Sequence, residues 1–296
     1  MASDLIAALK PPIRGLLHPL RKPITWACQR GFLSSRLRGL LPWQWPLEPF
    51  TIYGSGWKCR WFPAEFDDIG CRVFWSGLRQ WEKETSPVIL DNVRRSYCFV
   101  DIGANCGIYT VMACAVNPNI RVVAVEPVPR ICAALENNVR RNQFHSRVTI
   151  VNAALADSNG TVPFHEAEDA TMGSLSPDGY SGQPGKTIEV SCRTLDSIVS
   201  ELKIEPDFLK IDVEGFEHVV LAGANQVLGK FRPRIVLEAN PGDPGDRMTE
   251  TLSRYRYDFF VLTGKGPVRQ DAIVPRDPYY NWLCVPRADG PGLSQP

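Results

Sequence analysis

The stretch Tyr97-Cys-Phe-Val-Asp-Ile-Gly-Ala-Asn-Cys-Gly-Ile-Tyr-Thr110 restricts the fold more than any other part of the chain. Phe99, Val100 and Ile102 suit a strand buried on both faces, and Gly103 and Gly107 supply the backbone freedom of a tight turn. Ile108 to Ala115 then gives a compact helical run. A strand that passes through a glycine turn directly into a helix opens an α/β unit. The free N–H groups and positive dipole end of that helix form a seat for a carboxylate or phosphate.

The turn is a poor dinucleotide fingerprint, because the second and third glycines of that motif would fall where Asn105 and Ile108 stand. Its form, Asp101-x-Gly103-x-Asn105-x-Gly107, suits a cofactor that presents an ammonium and a carboxylate, as the methionyl end of S-adenosylmethionine does. Asp101 is expected to hold the ammonium, directly or through water, and the glycines to let the sulfonium lie close to the chain. The next strand, Arg121 to Val125, ends in Glu126, nineteen residues after Gly107. That is the usual offset for an acid that accepts hydrogen bonds from both ribose hydroxyls. Cys106, at a helix N-terminus within the turn, is a candidate for a lowered thiol pKa, with a small filler residue as the other reading.

With 296 residues, 44% hydrophobic and 22% charged, the chain can bury a large core. A net charge of +1 makes no case for nucleic acid, and no apolar run approaches the roughly 18 residues of a membrane span. Nine cysteines without a CxxC pair fit a reducing cytosol, so a cytoplasmic location is expected. Four scattered histidines lack ligand spacing, and no metal is expected.

Residues 1–45 carry seven lysines and arginines against one acid, Asp4. Two readings stand for this arm: a peripheral anchor to anionic lipid, or a packing arm interrupted by prolines. A signal peptide is not expected, since Leu5 to Leu9 is too short an apolar core. Residues 46–95 form a covering segment, with a hairpin turned at Gly54-Ser-Gly56 and a helical region around Glu82 to Val93. This segment is expected to cover one edge of the main sheet, with Trp75, Trp81 and Glu82 as candidates for the substrate side.

The domain proper spans 96–290. A helix from Arg130 to Asn142 leads to the strand Val148 to Val151, whose end places Asn152 and Ala153 to flank an adenine. Asp157-Ser-Asn-Gly160 reads as a hairpin turn, with flanking strands at Thr161 to Phe164 and Thr187 to Val190. Glu166 to Lys186 between them reads as a lid, a binding loop or filler. Phe208 to Glu217 then combines a buried strand with Lys210, Asp212 and Glu214 at its end, a costly cluster unless it faces a cleft. A helix from His218 to Leu228 follows, and Arg234 to Asn240 brings Glu238 and Asn240 to the same edge. A helix around Met248 to Tyr255 and closing strands at Tyr257 to Leu262 and Trp282 to Val285 complete the pattern.

Over about residues 75–287 the chain resembles the FkbM-type S-adenosylmethionine-dependent methyltransferase family. The matching residues are Phe99 to Gly107, Val125-Glu-Pro127, Thr194-Leu-Asp196, Lys210 to Glu217, Leu221-Ala-Gly-Ala224 and Leu237-Glu238. The resemblance implies an α/β, Rossmann-like class I methyltransferase fold, a seven-stranded, mostly parallel sheet with helices on both faces and a reversed last strand. It also implies methyl transfer to a hydroxyl of a small-molecule acceptor, a sugar or polyketide-like product. For the base, Asp212 leads, with Glu214 or Glu238 as the alternative or as a ligand of the acceptor hydroxyl, and Lys210 sets their charge. An NAD-dependent oxidoreductase and a non-catalytic, membrane-attached scaffold are the other classes in play.

Overall fold

The computed structural model describes residues 48–64, 67–78, 81–167 and 185–288. The basic arm of residues 1–45, the side chain of Trp75 and most of the segment between Glu166 and Lys186 lie outside them. The chain opens with an antiparallel hairpin, β1 (Phe50–Gly54) and β2 (Trp57–Trp61), followed by helices α1 (Asp68–Ser76) and α2 (Ser86–Arg95). An alternating unit then runs through β3 (Cys98–Ile102), α3 (Ile108–Val116), β4 (Arg121–Val125), α4 (Pro129–Arg141) and β5 (Val148–Val151). A side sheet contains β6 (Ala154–Leu155), β7 (Gly160–Ala167) and β8 (Gly185–Arg193). The main sheet resumes after α5 (Leu195–Leu202) with β9 (Phe208–Ile211), α6 (Glu217–Ala222), β10 (Arg234–Glu238), α7 (Gly245–Arg254), β11 (Tyr257–Thr263), β12 (Gly266–Gln270) and β13 (Asn281–Pro286).

The main sheet has the order β12-β11-β13-β10-β9-β3-β4-β5. Strands β10, β9, β3, β4 and β5 pair in parallel, and β13 runs antiparallel to both β10 and β11, which is the reversed last strand. The seven expected strands are therefore joined by an eighth, because the chain folds back at Thr263 into β12 and lengthens the edge.

Strand parity distributes the core. Cys98, Val100 and Ile102 of β3 pack with Leu209 and Ile211 on one face, while Phe99 stacks on Phe208 at 5.1 Å on the other. All five residues of β3 are buried because helices cover both faces. Asp101 and Lys210 are register partners on the Phe99 face, the side covered by α2 and α3.

The covering segment lies over that face and not along an edge, which corrects the expected placement. Its hairpin packs against α3 and α4, and α2 packs on α3 and β9. Polar stitches fix it. The backbone N–H groups of Phe62 and Arg60 donate to Asn138 of α4 and to Asn142, the residue that ends it, each at 2.8 Å. Asp67 caps α1 through Gly70 N–H and also accepts from Trp61 Nε1, each at 2.6 Å.

Two further expectations fail because of contacts between segments distant in sequence. Asp157 to Gly160 does not turn a hairpin, since β8 inserts between β6 and β7, and the long antiparallel ribbon is β7 with β8. The helix expected from His218 to Leu228 breaks after Ala222 and restarts as a π-helical turn, Val227–Phe231. Gly223 at the break lies so close to β6 that a Cβ would sit 2.1 Å from the Ala156 carbonyl oxygen. The Asp196 carboxylate then accepts the N–H groups of Gln226 and Val227, both at 2.9 Å, and starts the second turn.

Candidate functional site

A cavity of about 240 Å³ opens at the carboxyl ends of β3, β4, β9 and β10. The turn after β3 forms its floor. Gly103, Asn105 and Gly107 have φ values of 74°, 51° and 89°, and asparagine is among the few non-glycine residues that enter this region readily. Asn105 Oδ1 accepts from Cys106 N–H at 2.6 Å, and both Gly103 and Ala104 donate to the Val125 carbonyl at 3.0 Å. The glycines are required on the protein side: a Cβ at Gly103 would lie 1.8 Å from the Asp212 carbonyl oxygen, and one at Gly107 would meet Leu135 Cδ1 at 2.2 Å. Gly103 borders the cavity and Gly107 does not, so the expected approach of a ligand to Gly107 has no counterpart in the wall.

Glu126 is at the β4 end, lining the cavity and 5% exposed. Its two carboxylate oxygens accept from Asn105 N–H and Val128 N–H, each at 3.0 Å, so one side chain braces the turn and the start of α4. Burial pushes its pKa up to about 7 against the lowering effect of those N–H groups. Asn152 sits behind it. Its amide donates to the carbonyls of Glu126 and Pro127, both at 2.8 Å, and it does not line the cavity, whereas Ala153 does. The wall beyond is apolar, with Ile131, Leu155 and Phe164.

Asp101 also lies behind the wall. It is 1% exposed, accepts from Thr110 Oγ1 at 2.7 Å, and leaves Oδ1 buried without a hydrogen-bond partner. Direct contact with a ligand ammonium, one of the two forms expected for it, is thereby set aside. Its register partner Lys210 reaches the cavity, bonds Asp212 Oδ2 at 2.8 Å and lies 5.3 Å from the centre of the Tyr109 ring. Burial works against the charged lysine, but Asp212, Asp101 and Glu82 outweigh it and raise its pKa. Carboxylate oxygens of Asp212, Glu214 and Glu238 all lie within 4.8 Å of one another, a set that could hold a divalent cation, and no histidine or cysteine joins them among the described residues. Burial, followed by the charge of Asp212, pushes Glu214 up to about 8 and Glu238 up to about 10. Glu214 also holds a φ of 54° in this crowded loop.

The covering segment supplies the remaining wall through Trp81 and Glu82. Tyr109 of α3 donates its hydroxyl to Glu82, lies 3.2 Å from Ser86 Oγ, and packs on Trp81 with ring centres 5.2 Å apart. Tyr109 and Phe164 were not singled out by sequence reasoning. Tyr109 follows the glycine turn directly, which is its sequence signal; Phe164 sits on a side-sheet strand and has none. Cys106 is 1% exposed, and burial together with Asp67 and Glu126 raises its thiol well above the ordinary range. It is an inert filler and not a reactive thiol.

A sheet ordered β5-β4-β3-β9-β10-β13-β11, with an acid after β4 and charged groups after β9 around one cavity, defines the class I methyltransferase architecture. The family model described as the methyltransferase FkbM domain matches residues 101–259, and the chain belongs to that family. It is thus a methyltransferase, and the family implies S-adenosylmethionine as cofactor. The chain is similar to the 31-O-demethyl-FK506 methyltransferase FkbM of Streptomyces tacrolimicus, 32% identical over 197 residues, covering 57% of this chain and 74% of that protein. It is 27% identical over 174 residues to the hexuronic acid methyltransferase AglP of Haloferax volcanii, covering 58% and 68%. A match to the AMB antimetabolite synthetase AmbE of Pseudomonas aeruginosa, 27% identical over 228 residues, takes in 63% of this chain but only 10% of AmbE.

Proposed function

We propose that this chain transfers the methyl group of S-adenosylmethionine to a hydroxyl of a small molecule, a sugar or a polyketide-like product. The observation that supports it most is a single cavity that joins Glu126 at the end of β4 to the Lys210–Asp212 pair at the end of β9. The donor set fits the cofactor. Glu126 would take the ribose hydroxyls, Ile131, Ala153 and Leu155 would enclose the adenine, and the N-terminus of α3 would face the methionyl carboxylate. The FK506 and hexuronic acid relatives motivate the acceptor class by their names.

The cofactor supplies a methyl carbon already activated by positively charged sulfur. The chain must align the acceptor oxygen, exclude water and take the proton. Asp212, paired with Lys210, is the proton acceptor, a role that typically contributes on the order of 10²–10⁴ in rate. Glu214 and Glu238, pushed up to about 8 and about 10, carry protons near neutrality and offer O–H groups to the acceptor. Isothermal titration with S-adenosylmethionine and S-adenosylhomocysteine tests the reading. Micromolar binding by the wild type, weakened about tenfold or more in Glu126→Ala, is the expected result. Absence of binding by folded wild-type protein refutes it.

A further inference from the structure

Five carboxylates border the cavity: Glu82, Glu126, Asp212, Glu214 and Glu238. A methionyl group carries an ammonium that needs one of them, since a buried cation without a counter-charge is costly. Asp101 is shut behind the wall. The remaining acceptor capacity of Glu126 goes to the ribose hydroxyls in the reading above, and Asp212 is ion-paired with Lys210 at 2.8 Å. Glu214 and Glu238 cluster with Asp212 over β9 and β10. Glu82 differs in two respects. Its Oε2 accepts from the hydroxyl of Tyr109, the second residue of α3, which ties it to a side chain of that helix's first turn. Its Oε1 has no hydrogen-bond partner among the described residues, although the side chain lines the cavity and the Lys210 charge acts on it. The backbone φ of 41° at Glu82 is a conformation seldom adopted by such a residue, and its neighbour Trp81 packs on Tyr109.

We propose that Glu82 is the counter-charge for the ammonium of the bound cofactor, so that the covering segment, outside the matched span of residues 101–259, completes the cofactor site. The zwitterion is then divided between two groups joined by Tyr109: the α3 N-terminus takes the carboxylate and Glu82 takes the ammonium. This rests on the cofactor reading above. Glu82 is a binding residue in this assignment, with no part in proton removal.

Isothermal titration of the full chain and its Glu82→Gln variant with three probes isolates the ammonium. S-adenosylmethionine has ammonium and sulfonium, S-adenosylhomocysteine has the ammonium alone, and 5′-methylthioadenosine has neither. The amide is isosteric and still accepts from Tyr109, so the variant keeps its local contacts. The expected result is a loss of about tenfold or more for the first two ligands alike, with 5′-methylthioadenosine within about twofold of wild type. Equal losses for all three would mean a structural role, a loss for S-adenosylmethionine alone would put Glu82 at the sulfonium, and no loss would leave it without a part; each overturns the proposal. Should the amide variant misfold, Glu82→Asp, which keeps the charge on a shorter arm, is expected to retain the preference for S-adenosylhomocysteine over 5′-methylthioadenosine, and loss of that preference overturns the assignment. If the wild type binds none of the three, it is the cofactor reading itself that fails.

Discussion

At Glu238 the local charge runs against ionisation: burial comes first, then Asp212 and Glu214, while the Asn240 amide, 3.0 Å away, favours the anion. Its pKa of about 10 in the folded chain stands above the ordinary 4.5, so the folded state keeps a proton that the unfolded state gives up. Stability from this group is fully present below pH 4.5 and is lost as pH rises toward 10, at up to about 1.4 kcal/mol per pH unit. Thermal melting of the ligand-free protein between pH 6 and 9, about the neutral range where such groups differ, is expected to show a falling Tm that flattens in Glu238→Gln. A variant that keeps the wild-type slope would place the proton elsewhere. The charged edge itself was legible, because Lys210, Asp212 and Glu214 cannot be buried cheaply behind Leu209 and Ile211. The seclusion of Asp101 was not, since it depends on strand parity and on Thr110 reaching back from α3.

Strands and caps were legible to different degrees. β5 and β9 stand out as apolar runs, and β10 and β13 follow from their flanking turns and proline-rich loops. β12, with exposed Pro267, Val268 and Arg269, has no alternation to mark it and exists only because β11 templates it. The break in the α6 run was equally hidden, because it comes from the Ala156 carbonyl pressing on Gly223, a contact between segments far apart in sequence. Thr194-Leu-Asp196 gains its meaning from the same region. Thr194 caps α5 by accepting from Ser197 N–H at 3.0 Å, and Asp196, one residue further into that helix than its first position, caps the next helical turn across space. Removing it frees two N–H groups at once. Asp196→Ala is expected to destabilise by about 1–2 kcal/mol in chemical unfolding, with cofactor affinity unchanged. A change below about 0.5 kcal/mol would show that solvent replaces the cap at no cost.

At the scale of the whole molecule, the fully buried Asn138 of α4 joins the covering segment to the turn after β3. Its Oδ1 accepts from Phe62 N–H at 2.8 Å, and its Nδ2 donates to the Cys106 carbonyl at 3.1 Å, so α4 grips the end of the hairpin with one atom and the glycine turn after β3 with the other. Apolar packing runs the same way: Trp61, Ile89 and Val93 belong to one cluster with Phe99, Met112 and Phe208. Shared burial of this kind forces the two parts to unfold together, because releasing the covering segment would expose the face on which α3 and β9 depend. Scanning calorimetry of the full chain is expected to give one transition over the described residues, with the calorimetric and van't Hoff enthalpies in agreement. Asn138→Ala leaves the Phe62 N–H and the Cys106 carbonyl buried without partners, and should lower the stability of the whole by about 2–4 kcal/mol while keeping the single transition. Two separated transitions in the wild type would make the covering segment an independent lid, and would also remove the rigidity that fixes Glu82 beside Tyr109.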